Sequence, residues 1–165
     1  MIIIAFGANL NSHVGSPMVT IKSAISALQS RGIIFVKYSR FFETTPVPPS
    51  NNRNYINSVA IIETQMNPYE LLNACHEVEL MYGRERSYKN SPRTIDIDIL
   101  AYNNIVIKNR KIQIPHPRLH EREFVMIPLG EIAPNWKHPF LNISISELIS
   151  NLETNNKVFP LDEFF

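Results

Sequence analysis

Two stretches of this chain carry both a start and a stop signal for a helix, and the runs around them have the character of strands. Ser16-Pro17 and Asn67-Pro68 each join a capping residue to a first-turn proline, and Gly32 and Gly83 supply the stops. After the first pair, Met18, Ile21, Ala24, Ile25 and Leu28 recur at helical spacing. After the second, Leu71, Leu72, Cys75, Val78 and Met81 do the same, which predicts a helix reaching about Tyr82 with these residues inward. Residues 2–7, 33–42, 55–64 and 94–102 are β-branched, apolar or alternating, and are expected as strands. The stretch from Glu43 to Arg53 is expected to be irregular, because Pro46, Pro48 and Pro49 have no N–H to give a ladder.

The resulting order, β-α-β-β-α-β, is the split βαβ pattern of a ferredoxin-like fold. Asn103-Asn104 has the form of a two-residue hairpin turn leading into residues 105–108, and short helices are expected near 123–132 and 144–151. The expectation is therefore an α+β protein: a ferredoxin-like βαββαβ core with an added hairpin and short C-terminal helices. At 165 residues, with no repeat or linker composition, residues 1–165 are expected to form a single domain. Fold alone assigns no activity.

Composition narrows the classes of partner. Sixteen Lys and Arg against fifteen Asp and Glu leave a net charge of +1, which argues against nucleic acid, whose phosphates demand a clear basic excess. A small phosphorylated ligand held by a local basic patch remains open. The single Cys75 allows no internal disulfide and suits a reducing compartment. The opening residues lack a signal-peptide pattern, and no apolar run reaches the ~18 residues of a membrane span. A cytoplasmic, monomeric protein with no membrane partner is expected.

The sharpest chemical signal is Ser91-Pro92-Arg93-Thr94-Ile95-Asp96-Ile97-Asp98-Ile99-Leu100. On a strand, Asp96 and Asp98 share one face with Cα atoms about 6.7 Å apart, and Ile95, Ile97 and Ile99 take the other. Two carboxylates so placed repel unless a cation lies between them, and hard oxygen donors of this kind suit Mg²⁺. A half-buried strand with a solvated polar face shows the same alternation, so the pair alone is compatible with either role. Cations crowd both sides: Arg84, Arg86, Lys89 and Arg93 before, and Lys108, Arg110, Lys111, Arg118 and Arg122 after. Singly each reads as a solvated charge; together they favour a polyphosphate, and no glycine-rich phosphate loop occurs. Tyr55 and Asn57 share a strand face beside Thr44-Thr45-Pro46-Val47, an aromatic surface next to an amide edge, as a flat heterocycle requires. His116 and His120 are not expected to make a zinc pair, since the prolines of Pro115-His116-Pro117 oppose a helix and only one cysteine exists; a histidine contacting phosphate, and a structural role for His120, are the favoured readings.

These residues resemble the 6-hydroxymethyl-7,8-dihydropterin pyrophosphokinase family over nearly the whole chain. The likeness runs from Phe6-Gly7-Ala8-Asn9-Leu10, through Pro92-Arg93-Thr94-Ile95-Asp96-Ile97-Asp98-Ile99 and Ile114-Pro115-His116-Pro117, to Phe124 and Pro128-Leu129. The resemblance implies transfer of pyrophosphate from ATP to the hydroxymethyl group of the pterin, with release of AMP, in folate biosynthesis. It implies two Mg²⁺ ions on Asp96 and Asp98. It places Arg93, Leu72, Glu79, Ile99, Lys111, His116 and Arg122 on ATP, and Thr44, Thr45, Val47, Tyr55, Asn57 and Phe124 on the pterin, with Tyr55 and Phe124 sandwiching the ring. Arg84 and Arg86 then belong to a catalytic loop, residues 84–90, that closes over the substrates. Ala8 stands where the family usually has serine, which implies a hydroxyl lost near the pterin. Two other readings compete. An RNA-binding module of the same fold needs an aromatic RNP-like strand motif that is missing, and a non-catalytic sensor has no need of two metal ligands.

Overall fold

The computed structural model describes residues 1–46, 51–84, 91–153, 157–163 and 165. Its strands are β1 (Ile2–Ala8), β2 (Ile34–Tyr38), β3 (Phe42–Thr44), β4 (Tyr55–Glu63), β5 (Asp96–Tyr102), β6 (Ile107–Lys108), β7 (Gln113–Ile114) and β8 (Val158–Pro160). Its α-helices are α1 (Pro17–Gln29), α2 (Pro68–Met81), α3 (Glu123–Ile132) and α4 (Ile145–Ser150). Six strands form one antiparallel sheet in the order β5-β1-β4-β3-β8, with β2 also on β4. The core strands β5-β1-β4-β2 have the order expected of the split βαβ unit, so the ferredoxin-like reading holds.

Strand alternation distributes the apolar residues to both faces of the sheet. Ile4, Phe6, Ile97 and Ile99 pack with Ile21 and Leu28 of α1 and with Leu71 and Val78 of α2. Ile3, Val59 and Leu100 face the other way, onto Val125, Met126 and Leu129 of α3 and Leu148 of α4. Asn67 closes a full capping box, accepting from the N–H groups of Tyr69 and Glu70 while Glu70 accepts from its own N–H at 2.7 Å. Ser16 occupies the N-cap position of α1 without a side-chain capping bond.

Several expectations are corrected. The strand expected over 33–42 is two strands end to end along the same edge of β4. The break lies at Ser39, whose backbone donates to Val59 O while its hydroxyl accepts from Val59 N–H, so a side chain replaces a ladder rung. Thr44, expected in a loop, is strand. Met81, expected inward, is half exposed, because the buried stripe Leu71, Cys75, Val78 continues at Tyr82, four residues on. The two-residue turn at Asn103-Asn104 forms, closed by Ile105 N–H donating to Tyr102 O at 3.0 Å, but the chain beyond it does not pair with β5. The hairpin form of that turn needs two consecutive left-handed residues, and of the two only Asn103 has positive φ (49°). Its N–H bonds Met1 O, and β6 pairs with β7 as a separate ribbon. The sequence reading had no counterpart for β8.

Candidate active site

On the α3 side of the sheet, Gly7 of β1 lies directly opposite Asp96 of β5 and Asn57 of β4, and Ala5 lies opposite Asp98 and Val59. Residues directly opposite in a ladder share a face, so Asp96, Gly7 and Asn57 form one row. A Cβ on Gly7 would stand 3.1 Å from Asn57 Oδ1, so glycine keeps the strip between carboxylate and amide open to the backbone. Farther along β5, Leu100 is buried under α3. The two aspartates are thus at the uncovered end of the strand, with side chains 20% and 33% exposed. Ala8 points into the opposite core and is fully buried, so the missing hydroxyl does not face this cleft.

A cluster of guanidinium groups surrounds the carboxylates. Asp96 Oδ1 accepts from Arg84 at 2.6 Å and Oδ2 from Arg93 at 2.5 Å, and Asp98 Oδ2 accepts from Arg122 at 3.3 Å. Burial, and then the charge of Asp98, push the Asp96 carboxyl above its ordinary value, and the three arginines oppose that shift. Each aspartate is also linked through its arginine to an aromatic ring. The Arg93 guanidinium lies 5.6 Å over Tyr55, and that of Arg122 lies 5.5 Å over Phe124. The charged centre and the aromatic surface beside it therefore share side-chain contacts.

Behind the centre, Glu79 of α2 is 2% exposed and accepts the backbone N–H of Ile97, the residue between the aspartates, at 2.7 Å. It also pairs with Arg84. Asn9 works in a similar way at the end of β1. Its Oδ1 accepts from Arg93 N–H at 2.8 Å, its own N–H donates to Arg93 O, and its amide donates to Arg53 O at 3.2 Å. Sequence reasoning gave Asn9 no role because its partners lie 44 and 84 residues away. On the neutral side, Asn57 donates to Thr44 Oγ1 at 2.7 Å, and both residues are buried.

One open cleft of about 1180 Å³ gathers the expected residues. Thr44, Thr45, Tyr55, Asn57 and Phe124 line one part, and Arg84, Arg93, Asp96 and Asp98 the middle. Leu72, Glu79, Ile99, Lys111, His116 and Arg122 line the remainder. Because β5 is an edge strand, the cleft reaches around it to Ile99 and to residues 109–113. Val47, Arg86 and Lys89 fall outside the described residues, as does most of the loop 84–90. Arg110 and Arg118 also line the cleft, whereas Lys108 lies over Phe140, 4.1 Å from its centroid, and His120 packs edge-on to His138. The His116 ring titrates at about 4, below its ordinary 6.5, through burial and then the charges of Arg122 and Arg118. Its Nδ1 accepts from Arg118 N–H at 3.2 Å, which places the proton of the neutral ring on Nε2. Among the described residues no three His, Cys, Asp or Glu cluster as a metal site. Two carboxylates on one strand face, already compensated by cations, fit Mg²⁺, which completes its shell with water and phosphate oxygens.

The sequence profile of the 7,8-dihydro-6-hydroxymethylpterin-pyrophosphokinase family matches residues 3–134. A 2-amino-4-hydroxy-6-hydroxymethyldihydropteridine pyrophosphokinase of Haemophilus influenzae is 37% identical over 155 residues, covering 94% of each chain. Its namesake from Bacillus subtilis is 36% identical over 125 residues, 75% of each. The folic acid synthesis protein FOL1 of Dictyostelium discoideum is 33% identical over 96% of this chain, which spans only 23% of that longer protein. Among solved structures, Plasmodium falciparum HPPK-DHPS with pteroate superposes with a TM-score of 0.71 at 16% identity, over 94% of this chain and 47% of that one. That likeness speaks to fold. No helix among the described residues is long and apolar enough to cross a membrane.

Proposed function

The chain belongs to the 7,8-dihydro-6-hydroxymethylpterin-pyrophosphokinase family, and from that membership we propose how its cleft divides the work of the reaction. The activity is ATP-dependent transfer of a pyrophosphoryl group to 6-hydroxymethyl-7,8-dihydropterin in folate biosynthesis. The hydroxymethyl oxygen forms a bond to the β-phosphorus, the bond from that phosphorus to the α,β-bridging oxygen breaks, and AMP departs.

The row Asp96–Gly7–Asn57 carries the assignment of roles, because it puts a metal-binding carboxylate and a heterocycle-binding amide on one sheet face with open backbone between them. Asp96 and Asp98 would hold two Mg²⁺ ions, which would supply charge neutralisation to the phosphates. Arg93, Lys111 and Arg122 bind phosphate oxygens by charge-assisted hydrogen bonds, and Arg84, now paired with Asp96 and Glu79, turns to the phosphates when ATP is present. His116, neutral at pH 7, offers Nε2–H as a donor. Thr44 and Asn57 read the edge of the pterin, and Tyr55 and Phe124 lie against its faces. Leu72 and Ile99 supply apolar contact on the ATP side. Catalysis on this reading is positioning and charge neutralisation with no dedicated general base.

We further read residues 1–165 as a single, monomeric, cytoplasmic domain whose partners are small molecules. Incubation with ATP, Mg²⁺ and the hydroxymethylpterin should release AMP and the pyrophosphorylated pterin in equal amounts. AMP production that is the same without the pterin would overturn the reading.

A further inference from the structure

The matched family profile ends at residue 134, yet well beyond it the chain returns to the sheet, beside the strand that carries Thr44 of the cleft. Strand β8 pairs with β3 in the register Phe42↔Pro160, Glu43↔Phe159 and Thr44↔Val158. Just outside the strand, Leu161 N–H donates to Phe41 O at 2.9 Å, and the Leu161 side chain packs on the main core. Phe165 then lies against Phe41 and Tyr38, with ring centroids 4.3 and 4.6 Å apart. Phe41 and Tyr38 flank the break between β2 and β3.

We infer that residues 157–163 and Phe165 are a positioning element of the pterin half of the site: they hold β3 where Thr44 meets Asn57. The inference rests on the reading of Thr44 and Asn57 as the pterin contact. The physical reason is the length of β3. Three residues on one neighbour form few ladder bonds against the entropy of fixing each backbone unit. A strand so short is poorly held at an edge, and the chain leaves it directly for Pro46. Pairing with β8 turns the edge strand into an interior one, and the Phe165–Phe41–Tyr38 contacts fix the corner that precedes it. Thr44 donates no rigidity of its own. Its Oγ1 accepts from Asn57 at 2.7 Å only while the backbone of β3 stays in register. The ATP half depends instead on β5, α2 and the β6–β7 ribbon, none of which pairs with β8.

The test uses the full-length chain with Leu161→Pro, which deletes the N–H that bonds Phe41 O, and Phe165→Ala, which leaves the strand pairing intact. Calorimetry reads affinity for an ATP analogue and then for the hydroxymethylpterin, with thermal melts to confirm folding. Pterin affinity is expected to fall about fivefold for Leu161→Pro and about threefold for Phe165→Ala, with nucleotide affinity unchanged. Thr44→Ala is the reference variant, and in its background Leu161→Pro should cost less than in the parent chain, because the two act through one contact. Should Leu161→Pro fail to fold, Phe165→Ala decides the matter alone. Unchanged pterin affinity in folded variants, equal losses of both ligands, or fully additive effects with Thr44→Ala would each overturn the inference. If Thr44→Ala itself leaves pterin affinity intact, the reading of the pocket fails instead, which separates the two errors.

Discussion

The two halves of the cleft are built by opposite means. The β5 half is charged: Asp96, Asp98, Glu79, Arg84, Arg93 and Arg122 hold one another by ion pairs, and its position comes from a carboxylate on a neighbouring helix bonding the strand backbone. The β3–β4 half is neutral: an amide–hydroxyl hydrogen bond and aromatic surface, positioned by ladder pairing on both sides of a three-residue strand. Charges kept partly desolvated are strongly coupled, so a loss in the first half propagates. Neutral contacts are worth about 1 kcal/mol each, so losses in the second half should stay local.

The contrast is tested most severely at the aspartates. Asp96→Ala or Asp98→Ala should lower AMP release ~10³-fold or more at saturating magnesium, since a lost metal ligand removes several kcal/mol of transition-state stabilisation. Near-normal turnover in either variant would mean that the charged half is a structural network only. Next in size is Glu79. Glu79→Ala strands the Ile97 N–H and one partner of Arg84, which should cost about 1–3 kcal/mol of stability and reduce turnover with it. Glu79→Gln keeps an acceptor for Ile97 while removing the charge. Thermal melts should recover most of the stability in Glu79→Gln and turnover much less, and equal recovery of both would assign Glu79 a purely structural part.

On the neutral side, Tyr55→Ala should weaken pterin binding by about 1 kcal/mol or somewhat more and leave nucleotide affinity near its starting value. Calorimetry with each ligand checks both statements, and a matching loss for nucleotide would show that the Arg93–Tyr55 contact ties the halves more tightly than the ladder geometry implies. The smallest effect concerns pH. His116 titrates at about 4 in the folded protein against 6.5 ordinarily, so the unfolded chain binds more protons between those values. Stability of the ligand-free protein should therefore fall as pH drops from 6.5 toward 4, by on the order of 1 kcal/mol once partial exposure is allowed for. Denaturant titrations across that range should be flatter for His116→Asn, and an identical slope would remove His116 as the source.

Much of the charged half was legible as local pattern. The alternation of Asp96, Ile97, Asp98 and Ile99 dictates which side chains share a face, whatever the strand pairs with, and the capping box of α2 is complete within a few residues. The order of helical and strand signals was enough to name the βαββαβ core, because each element writes its own period into the chain. The Asn103-Asn104 hairpin was misread for the same reason: the turn is visible locally and forms, but the partner of the strand after it is not, and residues 107–108 pair with 113–114 and not with β5. The break at Ser39, the clasp of Asn9 on Arg93 and Arg53, and the Glu79–Ile97 bond all join residues distant in sequence, and nothing in their spacing specifies a partner. Strand β8 is the extreme case, three residues whose propensity is too weak to declare a strand and whose place was decided by the open edge of β3. Local periodicity thus determined the elements and the faces of Asp96, Asp98, Tyr55 and Asn57. Which faces meet, and what holds them in register, was decided only by tertiary pairing, because a hydrogen bond or ion pair depends on distance in space and leaves no period in the sequence.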